Sequence, residues 1–174
     1  MARVYLGLGS NIERERYLTA GLDTLASLYG KLALSPVYDC AAIGFAGQPF
    51  FNMVVGLDTA VSVAVLARDL RRIETEHGRR PDAARNTPRQ LDIDLLTYDD
   101  LCGNIDGVLL PRPEILHHAF VLRPLAALAP DALHPATGRS FAEHWDDFDH
   151  GAQAVRQVYF EWRGRAISTG EGAA

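Results

Sequence analysis

From residue 85 to residue 96 the chain reads Arg-Asn-Thr-Pro-Arg-Gln-Leu-Asp-Ile-Asp-Leu-Leu. Asp92 and Asp94 lie two residues apart in an otherwise apolar run, and side chains alternate between the two faces of a strand. The two carboxylates are therefore predicted to share one face, while Ile93 and Leu95 point into a core. Two like charges side by side destabilise a strand unless a cation lies between them, which indicates a metal site.

Four arginines precede this strand in a segment rich in proline and polar residues: Arg79, Arg80, Arg85 and Arg89. Guanidinium groups bind phosphate oxygens with paired hydrogen bonds, and Mg²⁺ prefers carboxylate and phosphate oxygens. Acids for a metal ion beside arginines for phosphate are typical of phosphoryl transfer. The alternative is a surface patch of salt bridges, which the continuity of the arginine-rich loop with the strand makes the weaker interpretation.

Composition narrows the class of protein. The 174 residues predict one domain with a real core. The net charge of −5 argues against a general nucleic-acid binder, which would be basic. Cys40 and Cys102 show no metal-ligand spacing and are too few for a disulfide framework, so a reducing cytoplasm is expected. The sequence also predicts no signal peptide and no membrane-spanning segment.

Hydrophobic periodicity predicts strands that alternate with helices. The expected series is a strand at 4–8, a helix at 18–29, strands at 31–38 and 51–57, a helix at 62–78 and a strand at 91–98. This order, β-α-β-β-α-β, predicts an α+β fold of the ferredoxin-like sandwich type. The long loops at 39–49 and 79–88 can then lie on one side of the sheet and close over one site.

The remainder of the chain shows a weaker pattern. A strand at 105–110, a turn or short helix at 111–118 and a helix at 120–127 are expected, followed by a small acidic helix at 140–150 and a further element at 153–162. Residues 1–135 are predicted to form the main domain, 136–167 an extension packed on it, and 168–174 a disordered tail. The sequence predicts no function for the extension.

Several motifs in a fixed order resemble one known family. They are Gly7-Leu-Gly-Ser-Asn11, Gln48-Pro-Phe-Phe-Asn52, Ile73-Glu74 ahead of Gly78-Arg79, Pro88-Arg-Gln-Leu-Asp-Ile-Asp94, Pro111, and Phe120-Val-Leu-Arg-Pro-Leu125. Together they resemble the 6-hydroxymethyl-7,8-dihydropterin pyrophosphokinases of folate biosynthesis. The resemblance implies a ferredoxin-like fold and transfer of pyrophosphate from ATP to the hydroxymethyl group of a reduced pterin, with release of AMP.

The resemblance also implies roles for individual residues. Asp92 and Asp94 would hold two Mg²⁺ ions that bridge the triphosphate of ATP. Arg79 and Arg89 would contact phosphates and, with the two acids, form the catalytic group. The implied nucleotide-binding residues are Arg71, Glu74, Arg89, Leu95, Arg112 and His118.

The implied pterin-binding residues are Ile43, Phe50, Asn52 and Phe120. Two aromatic rings hold a flat pterin by stacking, and an amide offers both a donor and an acceptor to its edge. Phe50 and Phe51 remain alternatives for one of the rings. An ordinary core position is the competing interpretation for each aromatic, and a helix-face ion pair with Arg71 or Arg72 is the competing interpretation for Glu74.

The chain departs from the family pattern at Cys40–Ala42, Asn86, Arg112 and His118. Two alternative functions follow from these departures: a non-catalytic protein that binds a nucleotide or pterin, and a Mg²⁺-dependent phosphotransferase for another heterocycle. The expected partners are ATP and a reduced pterin, with no nucleic acid and no membrane. A monomer is the expected state.

Overall fold

The computed structural model describes residues 1–42, 47–78 and 89–171. Its elements are β1 (Ala2–Ser10), α1 (Arg14–Tyr29), β2 (Ala33–Leu34), β3 (Val37–Cys40), β4 (Phe50–Thr59), α2 (Val63–Glu76), β5 (Asp92–Tyr98), β6 (Gly103–Ile105), β7 (Val108–Leu110), a 3₁₀ helix (Pro113–Leu116), α3 (Ala119–Leu128), α4 (Phe141–Asp147), β8 (Val155–Val158), β9 (Phe160–Trp162) and β10 (Arg165–Ser168). The predicted mixture of helices with an antiparallel sheet is confirmed.

The main sheet has six strands in the order β5-β1-β4-β3-β8, with β2 also paired to β4. Its neighbouring strands are antiparallel. β1 is central, and its register places Gly9 opposite Asn52 of β4 on one side and opposite Asp92 of β5 on the other. Two motifs that lie far apart in the sequence therefore meet on either side of Gly9.

Helices cover both faces of the sheet. α1 and α2 cover one face, where a buried apolar cluster includes Leu6, Leu8, Leu22, Leu66, Ile73 and Ile93. α3 and α4 cover the other face, where Val54, Leu96, Leu122, Leu125 and Phe141 are buried. Burial of each such side chain stabilises the fold by about 1.5–3 kcal/mol.

Local signals determine several element boundaries. α1 ends at Tyr29, as predicted, and the following Gly30 has a φ of 81° that suits glycine. The side chain of Ser62 accepts a hydrogen bond from the Val65 amide and caps α2. The predicted strand at 31–38 is divided into β2 and β3 at Ser35-Pro36, because proline cannot donate to the ladder.

The C-terminal segment is more closely integrated than the sequence suggests. β8 joins the main sheet, with Val155 opposite Cys40 of β3. Ser168 was expected to begin a disordered tail, but it lies in β10 and its buried hydroxyl accepts a hydrogen bond from the Val37 amide. The described chain continues to Glu171, which forms an ion pair with Arg123. The tail prediction is therefore wrong for residues 168–171.

Within the described ranges, the structure contains no helix with the length and apolar composition needed to cross a membrane.

Candidate active site

Two glycines of β1, Gly7 and Gly9, leave space for neighbouring side chains on the face of the sheet that α3 covers. Leu6 and Leu8 point towards α1 and α2, so Gly7 and Gly9 lie on the opposite face. A Cβ atom at Gly9 would lie only 2.7 Å from Oδ1 of Asn52. Because glycine has no side chain, Asn52 can occupy this space.

Asn52 and Phe50 lie on the same face of β4. Asn52 is buried and lies directly opposite both Gly9 and Tyr38, and residues opposite one another in neighbouring strands share a face. A Cβ at Gly9 would also lie 3.5 Å from a ring carbon of Phe50. Phe51 points the other way, where the guanidinium of Arg14 covers its ring at 3.8 Å. The structure thus brings Phe50, and not Phe51, to the side of Asn52.

Asp92 and Asp94 occupy the edge strand β5 on this same face, opposite Gly9 and Gly7 respectively. Their side chains are 30% and 33% exposed. Burial among protein atoms and the charge of Asp92 together raise the pKa of Asp94 to about 7, although the nearby Arg112 acts in the opposite direction. The register confirms that the two carboxylates share a face, and the charge of Asp92 disfavours ionisation of Asp94.

One arginine lies beside each carboxylate. Nη1 of Arg89 is 3.9 Å from Oδ1 of Asp92, and the Arg89 side chain is only 10% exposed. Nη2 of Arg112 is 3.4 Å from Oδ1 of Asp94, and its Nε is 3.2 Å from Oε2 of Glu114. The amide of Arg112 also donates to the carbonyl of Leu96, which ties its main chain to β5.

Asn11 connects the segment before β4, which carries Phe50 and Asn52, with the segment before β5, which carries Asp92 and Asp94. Its side-chain Oδ1 accepts a hydrogen bond from the Arg89 main-chain amide at 2.7 Å, and its main-chain amide donates to the Arg89 carbonyl at 3.0 Å. Its Nδ2 donates to the Gln48 carbonyl at 3.1 Å. Asn11 belongs to one of the family motifs, but its role could not be predicted from the sequence. Nothing local indicates hydrogen-bond partners that lie 37 and 78 positions away.

Phe120 lies in the first turn of α3 and stacks on His118, with ring centroids 5.0 Å apart and an interplanar angle of 19°. One turn further along α3, the guanidinium of Arg123 covers the ring of Tyr38 at 4.8 Å. Since Tyr38 lies opposite Asn52, the start of α3 lies over the face that carries Asn52. Burial lowers the pKa of His118, which favours its neutral imidazole.

Cys40, one of the departures from the family pattern, is a packed residue beside Asn52 and not a reactive thiol. It is buried, and burial raises the pKa of its thiol to about 12, with a hydrogen bond from Asn52 acting in the opposite direction. At neutral pH the thiol is protonated and does not act as a nucleophile.

Other predicted residues are placed away from this face. Glu74 is buried under β5, where its Oε2 accepts a hydrogen bond from the Ile93 amide at 2.9 Å. The side chain of Leu95 packs in the core with α1 and α2. Arg71 is exposed on α2, on the other side of the sheet.

Two predicted site residues, Ile43 and Arg79, lie outside the described residues, as do Asn86 and the other arginines of the second loop.

The acid pair fits a magnesium site of the kind that a nucleotide completes. Mg²⁺ is commonly held by one or two carboxylates together with substrate phosphates and water. Among the residues that the structure describes, no group of three or more His, Cys, Asp or Glu side chains could hold a metal ion. Paired acids with an arginine beside each are typical of enzymes that transfer phosphoryl groups.

The comparison with known families identifies the group to which this chain belongs. The family model described as 7,8-dihydro-6-hydroxymethylpterin-pyrophosphokinase matches residues 5–130. A protein of Pseudomonas aeruginosa named 2-amino-4-hydroxy-6-hydroxymethyldihydropteridine pyrophosphokinase is 39% identical over 145 residues, which cover 81% of this chain and 88% of that protein. The chain therefore belongs to the 7,8-dihydro-6-hydroxymethylpterin-pyrophosphokinase family, and the predicted family is confirmed.

Longer proteins also match. The folic acid synthesis protein fol1 of Pneumocystis carinii is 31% identical over 156 residues, and this chain spans only 21% of its length. The crystal structure of Plasmodium falciparum HPPK-DHPS with SDX-DHP superimposes with a TM-score of 0.72 at 14% identity, over 97% of this chain and 49% of that chain. This structural likeness supports the fold alone.

Proposed function

We propose that this chain transfers pyrophosphate from ATP to 6-hydroxymethyl-7,8-dihydropterin, giving the pterin diphosphate and AMP, as a step of folate synthesis. Family membership supports this function. The observation that carries it is the row Asn52–Gly9–Asp92 across three strands. That row places an amide suited to a heterocycle and a carboxylate suited to a metal ion on one face of the sheet.

The transfer is a displacement at the β-phosphorus of ATP. The hydroxymethyl oxygen of the pterin forms the new bond to that phosphorus, and the bond from it to the oxygen bridging the α- and β-phosphates breaks. AMP leaves with the bridging oxygen, and the hydroxyl proton passes to solvent. Positioning and charge stabilisation dominate this type of reaction, so the chain needs no strong general base.

Asp92 and Asp94 are the proposed metal ligands, and two Mg²⁺ ions together with the ATP phosphates complete the site. Bound Mg²⁺ would neutralise negative charge on the phosphates. The ions would also relieve the repulsion between the carboxylates, which together with burial raises the pKa of Asp94. ATP is the co-substrate implied by the family.

Arg89 and Arg112 are the proposed phosphate ligands, with Arg79 as a third. Each of the first two lies within 4 Å of one acid, so each is placed to turn from the carboxylate to a phosphate oxygen when metal and nucleotide bind. An arginine that stabilises the charge of the transferring group contributes about 10³-fold or more in rate. His118 and the main chain of Leu95 complete the proposed nucleotide site. Arg71 and Glu74 are the proposed nucleotide contacts with the least support, because both lie away from the face that carries the two acids.

Phe50 and Phe120 are proposed to stack on the two faces of the pterin, and Asn52 to pair with its edge. The missing side chain at Gly9 supports this arrangement, because it leaves room for Asn52 and Phe50 on the same face as Asp92. Ile43 is the remaining proposed contact. Cys40 contributes to the wall beside Asn52.

The fold is proposed to be ferredoxin-like. Taken in chain order, β1, β3, β4 and β5 are the four strands of the β-α-β-β-α-β unit, and they stand in the sheet in the order fourth, first, third, second. The main domain is proposed to end near residue 135, with 136–167 as its extension. A monomeric, cytoplasmic protein without nucleic-acid or membrane partners is the proposed context.

The deciding experiment is product analysis with ATP, Mg²⁺ and 6-hydroxymethyl-7,8-dihydropterin, resolved by chromatography. AMP is expected in step with loss of the pterin. Asp92→Ala and Asp94→Ala are expected to lower the rate by at least 10³-fold. Asp58→Ala is the matched control, because Asp58 is an exposed acid whose partner is Arg3 at the far end of the sheet.

Other products would contradict the proposal. ADP or free phosphate without AMP would indicate a phosphotransferase for another acceptor or a hydrolase. Binding of both substrates without turnover would indicate the non-catalytic alternative. Near-normal rates in both aspartate variants would overturn the assigned metal site.

A further inference from the structure

Gln153 lies in the C-terminal segment, beyond the residues that match the family model. Its side chain reaches back to the residues on either side of His118. Oε1 accepts a hydrogen bond from the Ala119 amide at 2.9 Å, and Nε2 donates to the His117 carbonyl at 2.8 Å. One amide side chain thus satisfies one donor and one acceptor of the main chain at the start of α3.

Among the residues that the structure describes, no other side chain caps the start of α3. His118 is its N-cap residue and forms no capping hydrogen bond with its own side chain. The first amides of a helix have no hydrogen-bond partner within the helix. Without a partner from elsewhere, the first turn of the helix is less stable. Gln153 supplies that partner from a distance of 34 residues along the chain.

Further contacts hold the same segment against α3 and β3. The guanidinium of Arg123 donates to the Val155 carbonyl and pairs with Glu171. Val155 in turn lies opposite Cys40 in the sheet. The segment is therefore fixed at both ends, at α3 and at β3, and Gln153 is held in position by this framework.

We propose that Gln153 is a positioning residue for Phe120, and that this C-terminal segment thereby tunes the affinity of the chain for its pterin. Phe120 follows Ala119 directly, so the orientation of its ring depends on the first turn of α3. The inference rests on the proposed function, because it takes Phe120 as a stacking partner of the pterin. It predicts a larger effect on pterin binding than on ATP binding, because the main chain of His118 keeps a separate anchor in the hydrogen bond from its amide to the Glu114 carbonyl.

The test compares Gln153→Ala with Gln157→Ala in steady-state kinetics and in calorimetric pterin binding in the presence of a non-hydrolysable ATP analogue. Gln157 is the matched control, because its side-chain amide donates a hydrogen bond to the Thr169 carbonyl within the same segment and not to α3. Gln153→Ala is expected to raise the KM and Kd for the pterin about five- to tenfold, the effect of one or two lost hydrogen bonds. The KM for ATP is expected to stay within twofold of wild type.

Gln153→Glu separates positioning from general destabilisation. Its carboxylate retains the acceptor for Ala119 and loses the donor to His117, so an intermediate increase in pterin KM is expected. Equal increases in the KM for ATP and for the pterin, or an unchanged pterin KM in Gln153→Ala, would overturn the inference. A wild-type protein that forms no AMP would overturn the proposed function instead, and pterin binding by the two variants would still test the role of Gln153.

Discussion

The ionisation of Asp94 depends on whether a cation lies beside it. Its pKa of about 7 lies well above the ordinary aspartate value, so the folded chain holds a proton that the unfolded chain has already lost between about pH 4 and 7. Stability therefore falls as the pH rises through this range. At pH 8 Asp94 is ionised beside Asp92, and a bound metal ion would relieve the repulsion between the two carboxylates.

Magnesium is expected to raise the melting temperature more at pH 8 than at pH 6, because protons compete for the acid pair at the lower pH. In metal-free buffer at pH 8, Asp94→Asn is expected to stabilise the protein by about 1 kcal/mol, a value reduced from the full pKa shift because the side chain is partly exposed. Calorimetry at both pH values measures these effects, with Asp58→Asn as the control. An equal magnesium effect at the two pH values would contradict the assignment.

Gly9 and Gly7 offer a second test at the scale of single residues. Gly9→Ala places a Cβ 2.7 Å from Oδ1 of Asn52, so Asn52 must move. Gly7→Ala places a Cβ 3.5 Å from Leu96, which is ordinary contact. Gly9→Ala is expected to cost about 1–3 kcal/mol of stability and to raise the pterin KM about tenfold, while Gly7→Ala stays close to wild type. Similar behaviour of the two variants in kinetics and thermal melts would argue against the role of Asn52.

At the scale of elements, the segment before α4 depends on a neutral histidine. His134 is buried, and its Nδ1 accepts hydrogen bonds from the Ala136 and Thr137 amides. Burial lowers the pKa of His134, and the charge of His144 lowers it further. A histidine with a lowered pKa stabilises the fold when it is neutral, and this contribution is lost as the pH falls below about 6.5.

Acidification from pH 7 to pH 5 is therefore expected to loosen the packing of α4 before the main sheet unfolds. His134→Asn retains an acceptor for the two amides and does not titrate, so it is expected to flatten this pH dependence. Histidine NMR signals and amide exchange of α4 between pH 5 and 7 measure the effect. A His134 that titrates near its ordinary pKa of about 6.5 would disprove it.

The strand pairings show which element boundaries have local causes. Pro36 divides the predicted strand at 31–38, and this break follows from the missing amide of proline. The recruitment of β8 to the edge of β3 has no such cause, because Val155 and its neighbours form a short strand whose partner lies more than a hundred positions away. Periodicity indicates that an element exists but does not indicate which strand it joins.

For the whole molecule, the C-terminal segment is expected to be required for folding. Truncation after Phe148 removes β8 and the Ser168 hydroxyl that satisfies the buried Val37 amide. The exposed edge of β3 and the unpaired amide are expected to cost at least about 3 kcal/mol and to promote aggregation. Truncation after Glu171 is the control. Denaturant unfolding compares the stabilities of the two truncated proteins. A stable, monomeric protein that ends at Phe148 would show that residues 1–148 fold alone.

Periodicity and turn chemistry were enough to predict much of the molecule from its sequence. The common face of Asp92 and Asp94, the end of α1 before Gly30 and the cap at Ser62 all follow from rules that act within a few residues. The ordered motifs also indicated the family. These features were accessible because backbone geometry repeats every two residues in a strand and every 3.6 in a helix.

Only the tertiary structure decided how distant segments meet. It directed Phe50 and not Phe51 towards Asn52, paired Glu74 with the Ile93 amide, and gave Asn11 and Gln153 their partners on distant segments. Each of these hydrogen bonds joins residues 19 to 78 positions apart. Such contacts depend on the packing of whole elements, and an amide or carboxylate side chain carries no local signal of which main-chain group it will satisfy.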